Sequence, residues 1–165
     1  SQKVADLIGA KQVYSFGLPD NRFDTLPMLD VVKIVEKLVS QIEPSVIYTH
    51  HPSDLNIDHG VVFRATLTAT RPLSGCPVRD LYAFEIPSST EWSFGMYKPA
   101  FRPNVFVDIT DTVDIKIEAM QTYKSESRSF PHPRSPEALR AIASNWGSVV
   151  GIEYAEAFEL IRSIR

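Results

Sequence analysis

Residues 45–60 read SVIYTHHPSDLNIDHG, and their reading decides the fold. Ser45 to Tyr48 is a short continuous apolar run of the kind buried in a parallel sheet. Before it, from Met28 to Ile42, apolar residues recur at helical spacing (Leu29, Val32, Ile34, Val35, Leu38, Val39, Ile42), and Pro44 ends that amphipathic helix. After it, a second helix is expected from Ile57 to Thr70, closed before Pro72. With a short strand expected at Gln12 to Phe16, the first half runs strand, helix, strand, helix, which argues for βα units and a parallel sheet. Working outward, further strands are expected at Leu81 to Ile86 and Asn104 to Ile109, with helices at Val113 to Lys124, Pro136 to Ala143 and Tyr154 to Ile164. Toward the other end the pattern predicts a helix from Lys3 to Ala10, a short strand from Gln12 to Phe16 and a turn over residues 17–22. Pro87 to Pro103 has no clear period and reads as an ordered loop near a site.

The chain has 165 residues, with 17 Lys+Arg against 20 Asp+Glu for a net charge of −3. A compact domain of this size buries roughly 70% of its unfolded surface and needs neither disulfide nor structural metal. With no repeat, low-complexity stretch or linker composition, a single domain over residues 1–165 is expected. There is no Lys/Arg run of the kind that phosphate-backbone binding requires, so nucleic acid is not an expected partner. The apolar runs are far shorter than the roughly 20 residues that span a bilayer, and no signal segment opens the sequence; a cytoplasmic protein without a transmembrane segment is expected. The one cysteine, Cys76, excludes an intrachain disulfide and a Cys-rich zinc knuckle.

The densest chemistry is THHPSDLNIDHG, residues 49–60, which holds three of the four histidines directly after a buried strand and at the start of a helix. In open α/β sheets ligands bind in the crevice beyond the strand C-termini. Imidazole and carboxylate are ligands of catalytic zinc, which keeps one position open for water. His59 falls in the first helical turn and is the candidate metal ligand, with Asp58 beside it to support a ligand or bind substrate. Asn56 is a natural helix cap. His50 and His51 point to opposite faces if the strand continues through them, so at most one faces the site. Asp54 reads equally as a turn former and as a functional carboxylate.

These residues resemble a known family. THHPSDLNIDHG followed by VVFRATLTATRP is similar to the second signature of the PIG-L/LmbE zinc-dependent N-deacetylases. The resemblance continues through YAFEIPSSTEW (82–92), NVFVDIT (104–110), KIEAMQTYKSE (116–126), FPHPRSPEALRA (130–141) and YAEAF (154–158). It implies a Rossmann-like, mostly parallel sheet flanked by helices, and removal of acetyl from N-acetylglucosamine-type amides with zinc as cofactor. It also implies that His59 binds zinc and that Asp58 is the active-site carboxylate. The family position that often carries an oxyanion-stabilising histidine is Asn56 here, with His51 as the other nearby donor. An amide donates a hydrogen bond to an oxyanion but carries no charge. Glu91 and Trp92 of the irregular loop, with His132 and Arg134, are the candidate sugar-binding residues, and an N-acetyl amino sugar or its conjugate is the expected partner.

The family's His-Pro-Asp-Asp motif, which completes the zinc site and supplies the general base, has no counterpart in these residues; His51-Pro52 and His132-Pro133 are followed by Ser53 and Arg134. The sequence is therefore expected to be the later portion of the family domain, N-terminally incomplete and inactive or weak alone, with homo-oligomerisation expected from an unpaired sheet edge. The alternative is a catalytically dead sugar-binding or structural module on the same fold. A nucleotide-binding reading is disfavoured because no G-x-G-x-x-G follows a strand.

Overall fold

The computed structural model describes residues 2–165. Five helices and four strands are arranged in the order α1 (Gln2–Leu7), α2 (Met28–Ile42), β1 (Val46–His50), α3 (Ile57–Ala69), β2 (Asp80–Phe84), β3 (Val105–Asp108), α4 (Val113–Thr122), α5 (Pro136–Val150) and β4 (Ala155–Ser163), with single 3-10 turns at Phe23–Thr25 and Glu91–Ser93. The strands form one mixed sheet, hydrogen-bonded in the order β1-β2-β4-β3, with helices flanking it. The chain divides into two compact units: residues 1–17 with 106–157, and residues 18–105 with 158–165.

The second of these holds the βαβ unit that the opening stretch foretells. Helix α2 occupies the predicted bounds: Glu43 closes it in the left-handed conformation (φ 50°) and Pro44 prevents continuation. Strand β1 pairs in parallel with β2, Val46 opposite Asp80 through His50 opposite Phe84. Helix α3 makes the crossover and packs on β1 and α2. Its fully buried Ala65 meets Val31 and Val32 of α2, with Leu26, Met28, Val35, Val61 and Ala69 around them. Small Ala65 lets the helices approach closely, and each buried valine contributes about 1.5–3 kcal/mol relative to exposure.

Residues 154–164, expected as a helix, instead form strand β4. Ala, Glu and Leu favour helix locally, but β2 still needs partners on its second edge, and β4 fills it antiparallel with Tyr82 opposite Leu160 and Phe84 opposite Phe158. Tertiary pairing overrides propensity. The sheet is accordingly mixed rather than mostly parallel. Tyr48 stacks on Tyr82 at 5.2 Å and meets Phe158 edge-on at 5.0 Å, an aromatic ladder across β1, β2 and β4. Residues 12–16, expected as a strand, are irregular.

The other unit is built on α4 and α5. Ile109, Val113, Ile117, Leu139 and Ala143 form its core, with Met120 and Tyr154 against it. Ser135 caps α5, its hydroxyl accepting from Ala138 N at 3.1 Å, and Pro136 opens the first turn. The helix runs a further two turns past its expected end, to Val150, and stops at Gly151 in the left-handed region (φ 78°). The two indole rings are divided between the units: Trp92 lies in residues 18–105 and Trp146 in residues 106–157. No helix among the described residues is long and apolar enough to cross a membrane.

Candidate active site

At the C-terminal end of β1 the chain passes through His50 and His51, turns at Pro52 to Leu55 and enters α3. Asn56 caps the helix: its Oδ1 accepts from Asp58 N at 2.9 Å. That use of Oδ1 leaves the Nδ2 end of the amide as a donor. His59 follows in the first turn, and its ring stacks on His50 at 4.1 Å with only 10° between the planes.

Asp54 is the hub. Its buried carboxylate accepts from the Ser89 hydroxyl, from Thr90 Oγ1 at 3.0 Å and from Asn56 N at 2.9 Å. His59 Nδ1 stands 3.0 Å from Asp54 Oδ1, off the line of a well-directed hydrogen bond. Burial pushes the Asp54 carboxyl up, but the adjacent His59 imidazole and the hydrogen bonds from Ser89 and Asn56 outweigh it, so it lies below the usual carboxylate range. The sequence left Asp54 open between turn former and functional group because Ser89 and Thr90 lie some 35 residues downstream.

Burial and the neighbouring His59 push His50 down to about 4, against a smaller opposing pull from Asp54. A histidine kept neutral in the fold makes stability depend on pH. The unfolded chain protonates His50 near 6.5 whereas the folded protein does so only near 4, so its contribution is full above pH 6.5 and is lost as the pH falls toward 4. The expected loss is about 3 kcal/mol. Urea unfolding of the metal-free protein across that range should show it, and His50→Gln should flatten the slope; an unchanged slope in the variant would remove His50 as the cause.

His51 is fully buried. Its Nδ1 lies 2.7 Å from Ser53 Oγ, its Nε2 3.3 Å from Glu159 Oε2, and its ring meets Phe101 edge-on. Burial lowers its pKa against the pull of Glu159. Both carboxylate oxygens of Asp58 accept backbone N–H groups, Asn21 at 2.7 Å and Phe23 at 2.9 Å, so this side chain fastens residues 21–23 to the start of α3. Glu91 accepts from Ser88 N at 2.6 Å, which braces the positive φ (71°) at Ser88. Trp92 is 41% exposed, and Phe94 (82%) and Tyr97 (54%), which sequence reasoning passed over, extend the same surface-exposed aromatic segment. His132 and Arg134 belong to the other unit, where His132 Nδ1 accepts from Arg134 N at 3.1 Å and Arg134 pairs with Glu126.

The buried Nδ1 of His50 makes no hydrogen bond and that of His59 only the off-line contact with Asp54, which leaves imidazole nitrogens for ligation. Yet no group of three or more His, Cys, Asp or Glu among the described residues is arranged to hold a metal ion. A catalytic zinc takes three protein ligands, so the described residues alone do not fit one.

Comparison with known proteins points the same way. The family model for GlcNAc-PI de-N-acetylase (PIG-L) matches residues 1–70. In sequence the chain is similar to PIG-L-type proteins, and it shares their α/β fold. Among individual proteins it is 25% identical to the diacetylchitobiose deacetylase of Thermococcus kodakarensis over 169 residues, spanning 99% of this chain and 61% of that protein. The solved N,N'-diacetylchitobiose deacetylase of Pyrococcus horikoshii superposes with a TM-score of 0.73 at 20% identity, covering 98% of this chain and 61% of the other. The 4-carboxy-2-hydroxymuconate hydratase GalB of Pseudomonas putida shares the fold at TM-score 0.70 and 21% identity, covering 99% and 70%. The chain thus spans about three fifths of the curated relative that it matches, and one fold serves both an amide hydrolase and a hydratase.

Proposed function

We propose that this chain carries part of the site of a hydrolase that removes acetyl from N-acetylglucosamine-type amides. The observation that carries the reading is the cluster at the end of β1, where Asn56, Asp58 and His59 stand in the family's second-signature order on the first turn of α3, and buried Asp54 lies 3.0 Å from His59. The net reaction adds water across the amide: the acetyl carbon gains oxygen, its bond to nitrogen breaks, and acetate and a free amine leave. Asn56 donates through Nδ2 to the oxygen of the tetrahedral intermediate, where a fixed donor is worth about 3 kcal/mol. Asn56 is favoured over His51 for this role because its amide has an end left to donate, whereas the His51 ring is closed in by Ser53, Glu159 and Phe101.

Zinc belongs to this proposal with His59 as one ligand; the further ligands are not assembled among the described residues. When bound, zinc supplies Lewis-acid polarisation and an acidified water. The exposed face of Trp92 receives a sugar ring, with Glu91 at the edge of the same loop; His132 and Arg134 are carried as candidate substrate residues on the resemblance alone. The protein is assigned to the cytoplasm, and pairing between copies along a free sheet edge is part of the same reading.

The test is acetate release from N,N'-diacetylchitobiose and N-acetylglucosamine. It compares this chain, with zinc, with the protein made from the whole reading frame that encodes it. The expected result is weak or no release by the 165-residue chain, clear release by the product of the whole frame, and loss of both release and zinc retention in His59→Ala. A folded product of the whole frame that binds the sugar and frees no acetate would overturn the proposal in favour of a binding module.

A further inference from the structure

Asp54 has no assigned part in this chemistry, yet its surroundings are more organised than those of any other carboxylate among the described residues. Its side chain is closed to solvent, and two hydroxyls, one backbone amide and one imidazole converge on it. A carboxylate in this state only accepts, whereas a neutral imidazole carries one proton and can place it on either nitrogen. Which nitrogen is protonated follows from the neighbour that the other ring atom meets. Here Nδ1 of His59 faces Asp54 Oδ1 at 3.0 Å, and the stacked His50 ring restrains the plane of His59.

We propose that Asp54 is a positioning residue, which holds His59 as the Nδ1–H tautomer so that Nε2 is the nitrogen left for a ligand, and which ties that ring to the Ile86–Ser93 loop. The tie is explicit in the bonding. Ser89 and Thr90 both donate to Asp54; their amides donate to Ile86 O at 3.0 and 2.9 Å, and Leu55 N donates to Ser89 O at 3.2 Å. The loop that carries Trp92 and the helix start that carries His59 therefore share one buried charge. A group that settles on the loop acts on the ring through Asp54 without touching it.

This rests on the proposed function only in its catalytic consequence, so the experiment has two independent arms. In the first, the 165-residue chain with 15N-labelled histidine is examined by two-bond 1H–15N correlation at a pH about two units above the ordinary imidazole pKa, with His59→Gln to assign the ring. The wild type should show His59 protonated at Nδ1, and Asp54→Asn should move most of that population to Nε2 while the His132 pattern stays in place. Ser89→Ala with Thr90→Val should keep the tautomer but speed amide exchange in the loop about tenfold or more. A wild-type His59 protonated at Nε2 overturns the proposal without any variant, so failure of Asp54→Asn to fold would not shield it.

In the second arm, the product of the whole reading frame should lose about 10- to 100-fold in kcat on Asp54→Asn, as disturbed support of a ligand does, with KM changed less than about threefold. A change confined to KM would overturn the positioning role. If the wild type releases no acetate, it is the proposed function that fails, and the tautomer still decides the case of Asp54.

Discussion

Gly147→Val should destabilise the protein by at least about 4 kcal/mol. A Cβ at position 147 would stand 2.6 Å from Ile152 O and 2.7 Å from Glu153 O, and both are backbone atoms that no rotamer change can move aside. The approach is close because the chain folds back over the last turn of α5: Gly151 N and Ile152 N both donate to Gly147 O, the latter at 3.0 Å. Alanine carries the same clash, and its helix-propensity advantage over glycine of about 1 kcal/mol offsets only part of it. Chemical denaturation reads the result directly, and a loss below about 1 kcal/mol would mean that the α5 terminus relaxes freely.

Asp58→Ala should cost a comparable amount, about 4 kcal/mol, since hydrogen bonds to a charged group contribute roughly 1.5–3 kcal/mol each and two are lost together. The amides of Asn21 and Phe23 would be left facing a methyl group. Asp58 also stands in the first turn of α3, where a negative charge is favoured by the helix dipole. Asp58→Asn distinguishes the fastening role from a reacting one. An amide has one acceptor oxygen, so one of the two backbone donors would meet an NH2 group, and the segment around residues 20–25 should become sensitive to limited proteolysis. If instead Asp58→Asn leaves stability within 0.5 kcal/mol, the range of an ordinary surface substitution, and abolishes acetate release, its carboxylate serves the chemistry and its bonds to residues 21–23 are incidental.

Legibility in the sequence followed the range of the interactions that decide each feature. The bounds of α2 were readable because its apolar spacing and Pro44 act within a few residues. The β1–α3 unit was readable for the same reason, as were the cap at Asn56 and the placement of His59 in the first turn. Residues 155–163 were misread because their local composition favours helix, whereas the open edge of β2 that turns them into a strand lies about 80 residues earlier. Asp54 lost its hub role in the sequence reading by the same mechanism: its turn chemistry is local, but Ser89 and Thr90 are not. Glu91 and Asp58 show the converse. Both are carboxylates in blocks that resemble the family's, yet each spends oxygens on backbone amides whose need for an acceptor arises only from the folded loops.

The division of the chain into two units makes each indole an optical witness to one of them. With Trp92 replaced by phenylalanine, the remaining emission comes from Trp146 on α5, which packs near Phe106 with ring centroids 6.2 Å apart. With Trp146 replaced, it comes from the loop beside the candidate site. Coincident melting curves from the two single-tryptophan proteins would mark one cooperative transition, and separated curves would mark two. Strand β4 supplies residues to both units, so its amides would register whichever transition comes first.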